Sequence, residues 1–157
     1  MPTPTYTPLA NITLSSSAAS VTFSSISQAY RDLVLVAQVT GSQATSMSMN
    51  LNADTPTTNY SRVFMNGNGT SATSATATNQ YIATIQTTLA MHIVNIMDYS
   101  ATDKHKNVLS RMDNANDSTR ATATRWANTA AVTSVEIKSN AGTFLAGSTF
   151  ALYGIAA

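Results

Sequence analysis

Cysteine is absent from this chain. That removes disulfides, thiolate nucleophiles and Cys-ligated zinc together, and fits synthesis in a reducing compartment. Charge is scarce as well: 10% of residues are charged, against about 25% in an ordinary globular domain. With a net charge of +1 there is no electrostatic case for binding nucleic acid or an anionic membrane. Weak self-repulsion also suits a protein that packs into an assembly. No apolar run reaches the about 18 residues of a membrane-spanning helix. The opening "MPTPTYTPLA" lacks the basic and apolar regions of a signal peptide. Proline is confined to four positions, three of them Pro2, Pro4 and Pro8.

What is present is Ser, Thr, Asn and Ala, laid out with a two-residue rhythm. The 157 residues suit one domain, able to bury roughly two-thirds of its unfolded surface. "SMSMNLN" sets Met47, Met49 and Leu51 against Ser48, Asn50 and Asn52, and "VTSVEIKS" sets Val135 and Ile137 against Glu136 and Lys138. Val21 pairs with Phe23 in "SVTFS". This is the alternation of half-buried strands. "DLVLVAQV" and "MHIVNIM" are apolar almost throughout, the mark of strands covered on both faces. "FALYGI" places Phe150 and Leu152 opposite Tyr153 and Ile155.

Strands are expected near 9–14, 19–25, 32–40, 46–52, 60–66, 89–98, 106–112, 120–127, 131–138 and 143–155, with turns where Gly, Asn, Asp and Ser gather. No sustained helical stripe interrupts them. The expectation is an all-β fold, an antiparallel jelly-roll-like β-sandwich of about ten strands. Residues 1–8 read as an extended arm, since proline and its predecessor both favour extended backbone. Residues 9–157 then form the single sandwich. Within that sandwich lies a long Ser/Thr/Ala loop near 66–88, opened by the turn dipeptides Asn66-Gly67 and Asn68-Gly69. So long an insertion is expected to be a surface loop that orders against a neighbouring subunit.

Catalytic chemistry finds little support. His92 sits in an apolar strand and reads as a satisfied, partly buried side chain. His105, in "TDKHK", lies in a charged, solvated turn. No G-x-S-x-G elbow, Walker loop or G-x-G-x-x-G occurs. "DNANDS" has Asp113, Ala115 and Asp117 at the first, third and fifth places of a calcium loop, but alanine cannot ligate and the glycine is missing. Glu136 beside Lys138 reads as a surface ion pair. Asn11, Asn59, Asn68 and Asn116 head glycosylation triplets that a Ser/Thr-rich chain produces by chance. Trp126 has two readings: a core or interface aromatic with its N–H paired, which the lack of companion aromatics favours, or a glycan-stacking platform. The chain is expected to have no catalytic residue, metal or cofactor, and not to be an enzyme.

Several stretches carry a resemblance. "VTFSSISQAYRDLVL" (residues 21–35), "NYS" (59–61), "GNG" (67–69), "WANTAAVTSVEI" (126–137) and "GSTFALYGI" (147–155) resemble, in the same order, small β-sandwich virion structural proteins of tailed phages, of the marine and cyanobacterial type. Ser27 departs from the proline expected after "FSSI". The resemblance thins out between residues 70 and 120. It implies a β-sandwich built into or onto a virion. With no anchor domain, shaft or coiled coil in view, the reading leans toward the head: a decoration or cement protein clamping capsomer junctions. Its chief partner would be the major capsid protein, with avidity across the lattice adding weak contacts, and a homo-oligomer, plausibly a trimer, as the unit. Candidate subunit-interface residues are Pro4, Tyr6, Pro8, Thr70, Tyr81, Ile82 and Ile85. The competing class is a tail fibre, spike or glycan-binding module, with Trp126 as its stacking residue.

Overall fold

The computed structural model describes residues 5–113 and 118–156. These form strands β1 (Tyr6–Thr13), β2 (Ser20–Phe23), β3 (Asp32–Val39), β4 (Thr45–Leu51), β5 (Tyr60–Gly67), β6 (Ala72–Ala77), β7 (Tyr81–Ile85), β8 (Ala90–Met97), β9 (Lys106–Asp113), β10 (Thr119–Trp126), β11 (Val135–Ser139) and β12 (Thr149–Ile155). The one helical piece among them is a 3₁₀ turn, Thr57–Asn59.

Two antiparallel sheets face each other. The larger has eight strands in the order β1-β12-β3-β8-β9-β10-β5-β6, and the smaller has four, β2-β11-β4-β7. Within them lies a jelly roll. Taking β1, β2, β3, β4, β7, β8, β11 and β12 as first to eighth, the sheets run first-eighth-third-sixth and second-seventh-fourth-fifth, the double Greek key of that fold. The other strands are two inserted hairpins. β5–β6 enters between β4 and β7, β9–β10 between β8 and β11, and together they prolong the large sheet beyond β8.

The expected sandwich is present, with differences that have physical causes. Residues 6–8 do not belong to an arm: Tyr6, Thr7 and Pro8 pair with Ile155, Gly154 and Tyr153 of β12. The Ala156 amide donates to the Thr5 carbonyl, so by alternation Pro8 stands at a position whose nitrogen faces away from β12 and needs no donor. Residues 66–88 are not a loop either. They contain β6 and β7, and β7 is an integral strand of the jelly roll. Val135 begins β11 later than expected because residues 127–134 are held as a loop, and Phe144 makes only isolated bridges to Ala18 and Gly41 before β12 starts.

The core fills from both inner faces. Leu33, Leu35, Ala37 and Val39 of β3, with Val94 and Ile96 of β8 and Phe150 and Leu152 of β12, meet Val21, Phe23, Met47, Met49, Leu51, Val135 and Ile137 of the small sheet. Each fully buried large apolar side chain contributes about 1.5–3 kcal/mol. Phe144 and Phe150 meet edge to face with centroids 5.2 Å apart. Gly154 lets the chain pass against the Tyr30 ring, which a Cβ at that position would meet at 2.5 Å.

Further along the large sheet the inner face becomes polar. One cross-strand row runs Leu152, Leu35, Val94, Ser110, Thr122, Phe64. Ser110 and Thr122 are nonetheless buried, because β7 passes over β9 and β10 and the Ser110 hydroxyl donates to the Ile82 carbonyl. His92 is buried on this face too, but neither ring nitrogen has a hydrogen-bond partner. The expected satisfied histidine is buried without satisfaction. Desolvation pushes its pKa down to about 4, against the attraction of Asp113.

A histidine whose folded pKa lies below its unfolded value binds its proton first in the unfolded chain. Its contribution is therefore intact above pH 6.5 and is lost as the pH falls from 6.5 toward 4. Urea titrations from pH 7.5 to 4 are expected to show wild type losing up to roughly 3 kcal/mol more than His92→Leu across that window. Parallel losses in the two proteins would contradict the assignment.

Candidate interaction surface

At one end of the sandwich, the loops are tied by buried and half-buried polar groups. Asp54 is the centre of one cluster. Its carboxylate accepts the Trp126 indole N–H at 2.7 Å and the Asn59 amide at 2.9 Å. The Tyr60 hydroxyl donates to the Asp54 carbonyl and accepts from the Leu51 amide. Burial raises the Tyr60 pKa to about 12; the Leu51 hydrogen bond opposes the shift and the Asp54 charge adds to it. Asn52, at φ +52°, turns its side chain into the 131–134 segment. Its amide donates to the Ala131 carbonyl, and its oxygen accepts from the Thr133 and Ser134 amides.

Lys106 forms a second clasp. The residue is fully buried, and its ammonium donates to the carbonyls of Ala101, Lys104 and Thr129 at 2.6, 3.0 and 3.1 Å. Desolvation lowers its pKa. Asp32, also buried, accepts from the Asp98 amide and from Arg31. All these groups are spent on internal hydrogen bonds, which makes this end a set of structural ties.

The residues singled out from sequence are scattered. Pro4 lies outside the described residues. Tyr6 is exposed at the end of β1, edge-on to Tyr153, and Pro8 is exposed on the same strand. Thr70 is exposed at the β5–β6 turn, where its amide and hydroxyl donate to Asn68 Oδ1. Tyr81 is half-buried under the Arg62 guanidinium. Ile82 and Ile85 are a correction: both belong to the core of this chain and have no side-chain surface left for a neighbour. Trp126 is another, for it is 1% exposed and cannot stack on a sugar. The core reading, with a paired N–H, is the one the structure has. Glu136 accepts from Asn50 on the neighbouring strand at 2.7 Å, in place of the expected cross-strand ion pair.

Sequence reading missed the surface that stands out. The outer face of the large sheet carries a row that is apolar except for Asn95: Tyr153, Val34, Asn95, Leu109, Ala123, Val63. The adjacent row runs Ala151, Val36, Ile93, Arg111, Ala121, Met65. Leu109, Val63 and Met65 are 49, 50 and 63% exposed. The outward positions of the small sheet instead carry Thr22, Glu136 and Lys138, with Ser48 and Asn50 outward but buried in hydrogen bonds to Asn140 and Glu136. Val34 is buried and Asn95 and Arg111 interrupt the rows, so the exposed apolar part is the far half, around Leu109, Ala123, Val63 and Met65. Such a group marks contact with another molecule more often than chance exposure does. Alternation along each strand was the available signal, but only the register shows that these side chains line up.

The opposite face of the extension has a cationic-aromatic cluster. The Arg62 and Arg120 guanidiniums each lie 4.8 Å from the Phe64 ring centre. Desolvation and the charge of Arg120 both lower the Arg62 pKa. A cleft of about 310 Å³ opens between the edges of β1 and β2, lined by Leu9, Ile12, Phe23 and Ile26 with serines at its rim. It holds no titratable group and reads as the unclosed seam of the sandwich. Among the described residues, no three His, Asp or Glu side chains gather as metal ligands would. No protein-family model and no curated protein matches the chain.

The ties make a quantitative expectation. Asp54→Ala strands the buried indole N–H and releases Asn59, and is expected to cost about 1–3 kcal/mol in urea unfolding. Lys106→Met leaves three carbonyls without their donor and is expected to cost about 2–4 kcal/mol. Losses under about 0.5 kcal/mol, the range of ordinary surface changes, would remove these groups from the structural account.

Proposed function

We propose that this chain is a virion structural protein of a tailed phage, an accessory capsid decoration or cement subunit that binds across capsomer junctions and stabilises the head. The observation that carries the reading is the asymmetry of the sandwich: one broad sheet face on which Leu109, Ala123, Val63 and Met65 are exposed, with Arg111, Asp113 and Arg125 as its charges, and one narrow face that is polar. A wide face of this kind suits lamination onto a protein lattice, where weak charge permits close approach. Its partner would be the major capsid protein. Each contact can be modest, since many copies on one particle act together. The internal ties fit a subunit whose work is mechanical, with buried polar groups spent on holding loops. The fold alone does not select this role, because jelly rolls serve capsids, lectins and enzymes alike. The glycan-binding alternative loses Trp126, the residue on which it rested.

Two measurements test the proposal. Mass spectrometry of purified virions is expected to detect the chain, and immunogold labelling to place it on heads; its absence from virions would end the reading. Val63→Asp combined with Leu109→Asp puts charge on the broad face without touching the core. The double variant is expected to keep its circular dichroism spectrum while losing at least about tenfold in particle retention, the effect of removing roughly 1.4 kcal/mol per contact. Undiminished retention would exclude this face as the attachment surface.

A further inference from the structure

The four sheet edges are not alike. β1 carries Pro8 and a bulge between Pro8 and Ala10. β2 has only four residues. β7 is bulged opposite Met47 and Ser48 and packs across β9 and β10. These are the usual ways of blunting an edge. β6 has none of them. Its six residues, Ala72 to Ala77, pair with β5 without a register break. It contains no proline and no charge, and no charged residue occurs anywhere from Asn66 to Gln80.

The direction of its free groups can be read from the hairpin. The Asn68 amide donates to the Ser71 carbonyl at 3.2 Å, so 68 and 71 form a hydrogen-bonded pair. Alternation in an antiparallel ladder then makes 66/73, 64/75 and 62/77 the bonded pairs. Thr73, Ala75 and Ala77 turn their backbone groups to β5. Ala72, Ser74 and Thr76 turn theirs outward, where no strand of the described chain receives them.

We infer that β6 is the pairing edge for a second copy of this chain, joined antiparallel about a two-fold axis at Ser74. Ser74 then faces Ser74 of the second copy, and Ala72 faces Thr76 in both directions. Three bonded residue pairs exchange two N–H···O=C bonds each. The two large sheets become one, and their broad outer faces become continuous. A second copy fits better than a foreign strand. The edge offers only alanines and hydroxyls, so no bulky or charged side chain selects a partner sequence, while two uncharged β6 edges meet without repulsion. A two-fold presents the same surface from both sides, as such interfaces require. This arrangement goes beyond the virion reading, does not depend on it, and proposes a two-fold unit where the sequence reading expected a trimer. Six residues of edge cover less than the about 1,200 Å² of a stable interface, so the dimer is weak, with Kd between about 1 μM and 1 mM.

Analytical ultracentrifugation of the full chain tests this directly. Dimer is expected to accumulate as protein rises toward about 1 mM; monomer throughout would overturn the inference. Ser74→Pro removes an outward N–H while leaving the β5 pairing intact, and is expected to weaken the dimer at least about tenfold. Association unchanged in a folded Ser74→Pro would also overturn it. Because the chain has no cysteine, Ser74→Cys supplies a readout independent of the proline variant. Oxidation is expected to cross-link it across the axis, where the about 5.5 Å spacing of a bonded pair suits a disulfide, and much faster than Ser16→Cys on the far side of the fold. Equal rates at the two positions would count against β6.

Discussion

A four-stranded sheet cannot cover an eight-stranded one. Strands lie about 4.8 Å apart, so the smaller layer reaches across only half the width of the larger, and every notable feature of this molecule follows from how the remainder is handled. Over the jelly-roll half, apolar rows from β12, β3 and β8 meet apolar rows from β2, β11 and β4. Past β8 the cover runs out. β7 bridges part of the gap by crossing β9 and β10, with Ile82 and Ile85 driven into the core and Ser110 bonded to its backbone. Beyond it, Phe64 is shielded only by the two arginines that flank it.

The loop end shows a different economy. Two inserted hairpins leave long connections to be held without much apolar area. Asp54, Asn52 and Lys106 hold them instead, each donating to or accepting from backbone or indole groups that burial would otherwise strand. Such groups contribute modestly when paired and cost heavily when orphaned. They act as constraints on loop geometry more than as sources of net stability. His92 is not tied in this way: its buried ring is left without a partner, as are the Thr122 and Thr124 hydroxyls.

Much of the framework was legible from residue spacing. The Val135–Lys138 alternation places the same side chains inside and outside as the structure does. The Met47–Leu51 alternation names the core side chains correctly, but Ser48 and Asn50 are buried as well. Strand β6 was not legible, because ATSATA has no amphipathic face; its pairing is made by backbone against β5. Ile82 and Ile85 were read as surface because the low-complexity run before them looked like one long loop. Trp126 could be placed only once Asp54, seventy-two positions away, was known to receive its N–H.

The order of residues by itself determined that this chain forms strands, that disulfides play no part and that charge is nearly absent, since these depend on local periodicity and composition. Only the tertiary structure decided which strands are neighbours, and with that the burial of Trp126, the broad apolar face and the bare edge of β6. The reason is physical: a strand's side-chain alternation is a property of a few consecutive residues, whereas a face or an edge exists only when several strands distant in the chain come into register.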